Sequence, residues 1–141
     1  MQDEAAQISA LLANAAPGST VVDYCAGAGG KALVLAASME NSGQLYALDV
    51  QQHRMKDIAH RCKRAGLDNV QQHILPAKDE KHEILEKLAG RADLVYVDAP
   101  CSGSGTWRRQ PEQKWFLDEK RLGDYIKLQR EILKQASDYV K

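Results

Sequence analysis

The sequence predicts an α/β fold in which one parallel β-sheet is covered by helices on both faces. Short apolar segments alternate with segments of helical periodicity along the whole chain. Glycine-rich or polar turns separate these segments. The segment Ala92–Asp98 is apolar nearly throughout, as expected for a strand that is buried on both faces. Because alternating strands and helices produce parallel sheets, we expect a single domain of this class over residues 1–141.

Four strands are predicted from short apolar segments that are bounded by turn residues. They cover Thr20–Tyr24, Gln44–Val50, Val70–Leu75 and Ala92–Asp98. If the first strand lies beside the point where the strand order reverses, the order is 3-2-1-4, with right-handed crossovers. A ligand crevice is then expected over the C-terminal ends of the first and fourth strands.

Five helices are predicted from apolar residues at helical spacing. They cover Gln2–Asn14, Lys31–Met39, Gln51–Ala65, Glu80–Leu88 and Asp118–Tyr139. In the first helix Ile8, Leu11 and Leu12 share one face, and Pro17-Gly18 follows as a breaker. Gly66 is a typical residue after a helix end, Asn41-Ser42-Gly43 is a turn, and the long segment Ala99–Phe116 is a loop.

The predicted sheet is incomplete at one edge. The last helix should lead back to a fifth parallel strand, but the sequence stops at Lys141, so the later strands are expected to be missing. The strand over residues 92–98 would then leave an open apolar edge, which favours self-association.

Composition limits the classes of protein that need to be considered. Nineteen basic residues balance nineteen acidic residues, so any RNA contact must rest on local patches or on parts of the protein outside this chain. No signal peptide and no membrane-spanning apolar run is visible, which makes a cytoplasmic location the default. The sequence has three scattered cysteines, Cys25, Cys62 and Cys101, which do not form a disulfide framework. No metal site is expected either, because His53 and His60 could share a helix face but Cys62 would point elsewhere.

A glycine-rich turn, Asp23–Lys31, follows the first predicted strand. Its glycines let backbone approach a ligand closely and present amides at a helix N-terminus. Asp49 ends the second strand, where a carboxylate can accept hydrogen bonds from the ribose hydroxyls of an adenosine cofactor. The GxGG spacing disfavours a dinucleotide and does not match a Walker P-loop. A tight turn without a ligand is the alternative.

Lys31 is unusual because the helix dipole disfavours a cation in the first turn of a helix. We expect an anionic partner: Asp23, Asp98 or the carboxylate of a cofactor. The alternative is a lysine whose ammonium group extends into solvent.

The second motif, Asp98–Thr106, places a carboxylate and the Cys101 thiol at one strand end, separated by a proline. A thiolate that adds to C6 of cytosine makes C5 nucleophilic, and a carboxylate near N3 or the exocyclic amine favours this addition. C5 then takes a methyl group, a base removes the C5 proton, and the thiol is eliminated. The alternative makes Cys101 a small buried hydrophobic residue.

Together these motifs resemble the NOL1/NOP2/Sun family of RNA 5-methylcytosine methyltransferases, which includes bacterial 16S rRNA enzymes. The segments that carry the resemblance are Gln2–Ala5, Cys25–Lys31, Leu48–Val50 with Arg54, Asp98–Arg109 with Lys114-Trp115, and Gln129–Leu133. The resemblance implies a Rossmann-like class I methyltransferase fold and S-adenosylmethionine as the cofactor. Its implied cofactor contacts are Cys25, Ala26, Gly27, Ala28, Gly29, Gly30, Lys31, Asp49, Arg54 and Asp98.

The resemblance also implies a catalytic group of Cys101, Asp98 and Lys31, in which Asp98 faces the target base and Cys101 assists product release. Three departures from the family pattern stand out. The nucleophilic cysteine of a Thr-Cys-Ser segment is absent, so the isolated chain is expected to bind cofactor without turnover. Ala28 replaces a proline, which could loosen the turn, and Pro76 stands where an aspartate usually contacts adenine.

The loop beyond Cys101 combines aromatic and cationic residues that suit phosphate contact and base stacking. The predicted RNA-binding residues are Trp107, Arg108, Arg109 and Lys114. The alternative is a charged exposed loop with both tryptophans, Trp107 and Trp115, packed inward. The basic residues of the third helix are expected to form a solvated face; they are Lys56, Arg61, Lys63 and Arg64.

The predicted function is S-adenosylmethionine-dependent methylation of cytosine C5 in RNA, with 16S rRNA as the expected target. Two alternatives remain open at this point. An NAD-type oxidoreductase could use Gly27, Gly29 and Asp49, but it leaves Asp98–Cys101 unexplained. A non-catalytic RNA-binding module on the same fold is the other.

Overall fold

The computed structural model describes residues 3–76 and 82–141. It divides into two compact units. The first unit contains the chain up to Asp98 together with Ala136–Lys141, and the second contains Ala99–Gln135.

The first unit is built on a four-stranded parallel sheet, which confirms the predicted fold class and strand order. The strands are β1 (Thr20–Asp23), β2 (Gln44–Asp49), β3 (Val70–Ile74) and β4 (Leu94–Tyr96), in the order β3-β2-β1-β4. β1 to β3 each end one residue before the predicted boundary. β4 is shorter than predicted at both ends. Its pairing with β1 begins where the Asp93 amide donates a hydrogen bond to the Thr20 carbonyl. The pairing ends where the Tyr24 amide donates to the Tyr96 carbonyl.

Within the described residues, five α-helices belong wholly to the first unit. They are α1 (Glu4–Leu12), α2 (Gly30–Ser38), α3 (Gln52–Met55), α4 (Ile58–Ala65) and α5 (Glu83–Leu88). The Asp3 side chain caps α1 by accepting a hydrogen bond from the Ala5 amide. Gln2, at the start of the first predicted helix, lies outside the described residues, as do Glu80 and Lys81 at the start of the fourth.

The prediction of one continuous helix over Gln51–Ala65 is wrong. The helix is interrupted at Lys56-Asp57, between the buried side chains of Met55 and Ile58, which both enter the core. Gly66 adopts a left-handed backbone with a φ of 67° after the end of α4, as predicted.

The core lies between the sheet and the helices of the first unit. Its largest fully buried apolar side chains include Leu35 of α2, Met39 at the C-cap of α2, Leu45 of β2 and Ile58 of α4. α1 packs on α2 through the small, fully buried Ala10, whereas the predicted apolar face of Ile8, Leu11 and Leu12 is exposed. The chain therefore buries the opposite side of α1 from the one that its hydrophobic residues suggest.

The chain end adds a short pairing to the first unit. Val140 forms a parallel bridge with Ala92, the Ala92 amide donates to the Tyr139 carbonyl at 2.8 Å, and the Lys141 amide donates to the Ala92 carbonyl at 3.0 Å. The Tyr139 ring stacks on Tyr24 with 5.6 Å between centroids. Among the described residues, β4 itself pairs only with β1.

The second unit holds most of the predicted loop and of the last helix. The loop contains two 3₁₀-helices, Ser104–Thr106 and Pro111–Phe116, and α6 spans Glu119–Ser137. Asp118 precedes α6 and accepts a hydrogen bond from the Arg121 amide at 2.7 Å, so it caps the helix that was predicted to begin there. Within the ranges that the structure describes, no helix has the length and apolar character needed to cross a membrane.

Candidate functional site

The glycine-rich turn after β1 has the tight geometry that its sequence predicts. Gly27 and Gly29 have positive φ angles of 52° and 77°, and Gly29 is the N-cap of α2. The Gly29 amide donates to the Ala26 carbonyl, and the Ala26 amide donates to Leu48 of β2, both at 2.9 Å. A Cβ atom on Gly29 would lie 2.7 Å from the Ile58 side chain, so this position requires glycine for both its conformation and its space.

Asp49 at the end of β2 holds this turn directly. One carboxylate oxygen accepts the Gly27 amide and the other accepts the Gln51 amide, each at 2.8 Å. The side chain is buried. Each oxygen has a further lone pair, so the predicted contact with a ribose remains compatible with these bonds. The role of Asp49 in holding the turn was not foreseen from the sequence.

Two arginines lie against the same turn. A Cβ atom on Gly27 would come within 2.7 Å of the Arg54 guanidinium, which therefore lies directly over this glycine. Arg61 donates a hydrogen bond from Nη1 to the Ala28 carbonyl at 2.9 Å. Of the four basic residues predicted to form a solvated helix face, Lys56, Lys63 and Arg64 are exposed, whereas Arg61 is partly buried and bonded to the turn. The seven-residue spacing of Arg54 and Arg61 was the available signal, since it can place both on one side of a helical segment.

Lys31 pairs with Asp98 across the ends of β1 and β4. The distance from its Nζ to a carboxylate oxygen of Asp98 is 2.5 Å. Of the three anionic partners predicted for Lys31, the structure assigns Asp98. The lysine is mostly buried while the aspartate is about half exposed, so the pair leaves the Asp98 carboxylate accessible to a ligand.

Asp23, the last residue of β1, is a buried acid that was not among the predicted cofactor contacts. Its side chain is 1% exposed, and no side chain among the described residues donates a hydrogen bond to its carboxylate. Burial, followed by the nearby Asp98 carboxylate, raises the pKa of Asp23 to about 7. Lys31 and the Cys25 amide act in the opposite direction but do not restore an ordinary value.

The Cys25 thiol is held in its neutral form. Burial, then the carboxylates of Asp49, Asp23 and Asp98, raise its pKa to about 12, and Arg54 only partly opposes them. A thiol with so high a pKa is a poor nucleophile. Cys25 is therefore suited to forming part of the site wall rather than to covalent catalysis.

These groups surround a pocket of about 230 Å³ over the C-terminal ends of β1 and β4, where the crevice was predicted. Its lining consists of Asp3, Ala6, Asp23, Cys25, Ala26, Ala28, Gly30, Lys31, Arg54 and Asp98. Seven of the ten predicted cofactor contacts are in this lining. The other three, Gly27, Gly29 and Asp49, shape the turn behind it.

The second unit holds the remaining predicted site residues. Cys101 is exposed, so the alternative of a buried hydrophobic residue is wrong, and its sulfur accepts the Gly103 amide at 3.4 Å. Gln129 of α6 donates to the Pro100 carbonyl at 2.8 Å and ties this loop to the helix. Within residues 3–76 and 82–141, no cluster of three or more histidine, cysteine or acidic side chains is placed to hold a metal ion.

The predicted RNA-binding residues lie on the turn between the two 3₁₀-helices and on the second of these helices. Arg108, Arg109 and Lys114 are exposed, whereas Trp107 is partly buried. Trp115 is 83% exposed, so the alternative in which both tryptophans pack inward is wrong for this one.

A comparison with protein families decides the relationship. The family model described as 16S rRNA methyltransferase RsmB/F matches residues 10–141. The chain belongs to this family. The resemblance to RNA cytosine methyltransferases that the motifs carry is thereby confirmed.

Individual relatives agree with membership of the RsmB/F family. The chain is 32% identical, over its full length, to the probable ribosomal RNA small subunit methyltransferase B of Bacillus subtilis, and it covers 31% of that protein. It is 36% identical over 96% of its length to the 26S rRNA (cytosine-C(5))-methyltransferase nsun-5 of Caenorhabditis elegans, again covering 31%. The chain thus spans about a third of the length of these two curated relatives.

Solved structures confirm the Rossmann-like methyltransferase fold of this RsmB/F family member. The structure of PH0851 matches all of this chain and 31% of its own, with a TM-score of 0.91 at 38% identity. A methyltransferase homologue from Pyrococcus horikoshii matches 99% of this chain and 42% of its own, with a TM-score of 0.80 at 27% identity.

Proposed function

We propose that this chain is the cofactor-binding part of an S-adenosylmethionine-dependent RNA cytosine-C5 methyltransferase that acts on 16S rRNA. The observation that carries the proposal is the convergence of the glycine-rich turn and the Lys31–Asp98 pair on one pocket. Membership of the RsmB/F family supports the reaction and the class of RNA.

The residues of the pocket suit an amino-acid and ribose ligand. Backbone amides at the N-terminus of α2 can receive a carboxylate, which the helix dipole favours. The acceptor capacity left on Asp49 suits ribose hydroxyls, and the exposed Arg54 lies over Gly27 beside it. Bound S-adenosylmethionine would supply an electrophilic methyl group on a sulfonium sulfur. Lys31 fixes the Asp98 carboxylate, which we assign to the target base.

The second unit supplies the remaining proposed groups. Cys101 is exposed, and its sulfur receives a hydrogen bond from the Gly103 amide that orients the side chain. The exposed Arg108, Arg109 and Lys114 can contact phosphates. Trp107 and the exposed Trp115 offer rings for base stacking.

Ligand binding to the purified chain tests this proposal. We expect S-adenosylmethionine to bind in a calorimeter and to raise the melting temperature, and NADH to do neither. Asp49→Asn should weaken binding by about tenfold or more, because the amide loses the charge that attracts ribose hydroxyls. Asp68→Asn, at an exposed position away from the turn, is the matched control and should bind like the original chain.

Binding of NADH in place of S-adenosylmethionine would favour an oxidoreductase. Binding of RNA by a chain that takes neither nucleotide would favour a non-catalytic RNA-binding module.

A further inference from the structure

Positive charge is concentrated on α3 and α4. Residues 53–66 contain one acidic residue, Asp57, against five basic residues, so this segment has a net charge of +4. The basic residues are Arg54, Lys56, Arg61, Lys63 and Arg64. Because the whole chain is neutral, all its other residues together have a net charge of −4. A local cationic surface on a neutral protein attracts polyanions to one place rather than to the whole molecule.

The outer face of α4 presents part of this charge to solvent. His60, Lys63 and Arg64 are all exposed, and their spacing of three and four residues places them on one side of the helix. Ile58 and Cys62 are buried and hold the opposite side against the core. Within the described ranges, neither Lys63 nor Arg64 forms an ion pair with an acidic side chain. These cations are therefore available to an external anion.

A groove between α3 and the edge strand β3 continues this cationic face. Its volume is about 220 Å³, and it is lined by Gln52, Met55, Lys56, Gln72 and Ile74. None of these residues lines the pocket beside the glycine-rich turn, so the groove is a separate site. Clefts for drug-sized ligands measure roughly 300–1,000 Å³, so a groove of this size suits a single planar ring system.

We propose that this face and groove bind single-stranded RNA, with phosphates on Lys56, Lys63 and Arg64 and one unpaired base in the groove. Ammonium and guanidinium groups make strong hydrogen bonds to phosphate oxygens. In the groove, apolar side chains can contact the face of a base while glutamine amides donate to and accept from its edge. Lys56 belongs to both parts and joins them.

The inference rests on the proposed function for the class of nucleic acid. It goes beyond that function because the surface contains neither the residues of the cofactor pocket nor the proposed RNA contacts at residues 107–114. It therefore assigns the first unit an RNA contact of its own.

A lipid surface is a less suitable partner for this face. Helices that lie on membranes insert an apolar side into the lipid. The apolar residues Ile58 and Cys62 of α4 are instead buried in the protein. The exposed side of α4 thus offers charge without the apolar surface that lipid binding requires.

Fluorescence anisotropy with a labelled single-stranded RNA of about 15 nucleotides, over a range of salt concentrations, tests the phosphate contacts. Each such contact contributes about 0.7 to the slope of log affinity against log salt concentration. The double variant Lys63→Ala/Arg64→Ala should therefore lower this slope by about 1.4 and weaken binding by about tenfold at low salt. Lys127→Ala/Arg130→Ala, on the exposed side of α6, removes the same charge and is the matched control. It should change the slope little.

Two further measurements test the position of the base. Gln72→Leu should reduce the preference for single-stranded over duplex RNA by about threefold or more, without changing the salt slope. RNA that carries 4-thiouridine should form photochemical cross-links to residues 52–74 of the unaltered chain, a result that requires no substitution.

Each result supports or overturns the inference. Equal losses in the two double variants, cross-links confined to other segments, or absence of RNA binding would overturn it. Binding to vesicles that contain phosphatidylserine, without binding to RNA, would assign the face to lipid and overturn it as well. Titration of the same chain with S-adenosylmethionine separates this inference from the proposed function. Cofactor binding without RNA binding here leaves the proposed function standing, and RNA binding here without cofactor binding overturns the proposed function alone.

Discussion

At the residue scale, the burial of Asp23 makes the stability of the chain depend on pH. The pKa of its carboxyl group is 3.8 in an ordinary environment and about 7 in the fold. Between these values the unfolded chain has lost the proton and the folded chain still holds it. The contribution of Asp23 to stability therefore falls as the pH rises from about 4 to 7, and it stays low above 7.

Asp23→Asn should for this reason stabilise the chain at neutral and alkaline pH. The gain in free energy of unfolding should be roughly 1 to 4 kcal/mol at about pH 8 and should shrink toward zero near pH 4. Urea unfolding at both pH values measures it. Equal stability of the two chains at pH 8 would mean that the buried carboxylate is neutralised by a group that the described residues do not show.

Arg61 offers a second test at this scale. Arg61→Ala removes the hydrogen bond to the Ala28 carbonyl, so the turn should become more mobile and cofactor affinity should fall by about threefold to tenfold. Stability should change by less than about 1 kcal/mol, because this side chain is only half-buried. Arg64→Ala on the same helix is the matched control.

Ala28→Pro should recover part of that affinity in the Arg61→Ala background. Proline restricts the turn without help from the guanidinium. No recovery would indicate that Arg61 acts through charge rather than by restraining the turn.

The sequence indicated which residues line the pocket, but not which of their side chains pair with each other. Seven of the ten expected cofactor contacts line the pocket, because glycine spacing and strand ends are local features. Three features depend on residues brought together from distant segments: the pairing of Lys31 with Asp98, the burial of Asp23, and the hydrogen bond from Arg61 to the turn. Periodicity carries no information on such pairings.

At the element scale, the start of α2 is the most constrained join in the first unit. Gly29 combines a positive φ of 77° with contact against Ile58. Gly66 has a similar φ of 67°, but a Cβ atom there would extend into open space. Substituting Gly66 therefore measures the energetic cost of backbone strain alone, whereas substituting Gly29 measures backbone strain together with steric crowding against Ile58.

Gly29→Ala should therefore destabilise the chain more than Gly66→Ala. We expect a loss of about 1 to 2 kcal/mol at Gly66 from the left-handed backbone alone. A further 1 to 3 kcal/mol or so should be lost at Gly29, where Ile58 must move. Chemical denaturation of both variants measures the difference, and equal losses would show that Ile58 yields without cost.

Element boundaries were predictable for β1 to β3 and for the end of α4, where turn residues mark them. The interruption at Lys56-Asp57 was not, because no glycine or proline signals it. The exposed Ile8, Leu11 and Leu12 show the limit of reading a core from hydrophobicity alone. The close approach of α1 to α2 requires a small side chain, and Ala10 fills that position.

At the scale of the whole molecule, the three cysteines differ in their exposure and chemistry. The Cys25 thiol has a pKa of about 12 and Cys62 is buried, so Cys101 is the exposed thiol of the described residues. We expect this chain to bind S-adenosylmethionine but to transfer no labelled methyl group to 16S rRNA. Transfer that Cys101→Ala abolishes would contradict this expectation and make Cys101 the nucleophile.

Self-association through β4 remains a prediction at this scale. Among the described strands, β4 pairs with β1 alone. The bridge between Val140 and Ala92 lies just before the N-terminal end of β4 and leaves the outer edge of Leu94–Tyr96 without a paired strand among the described residues. Strand edges of this kind favour pairing with another copy. Sedimentation velocity over a range of concentrations should show dimers, and Val95→Lys should reduce them.

The positions of the two tryptophans have a practical consequence for every unfolding experiment on this chain. Trp107 and Trp115 both lie in the second unit, while the first unit carries four of the five tyrosines: Tyr24, Tyr46, Tyr96 and Tyr139. Intrinsic indole emission thus reports on Ala99–Gln135, and near-ultraviolet tyrosine signals report mostly on the sheet. Coincident transitions by both optical probes would mean that the chain melts as one cooperative body, and separate transitions would mean that it melts as two.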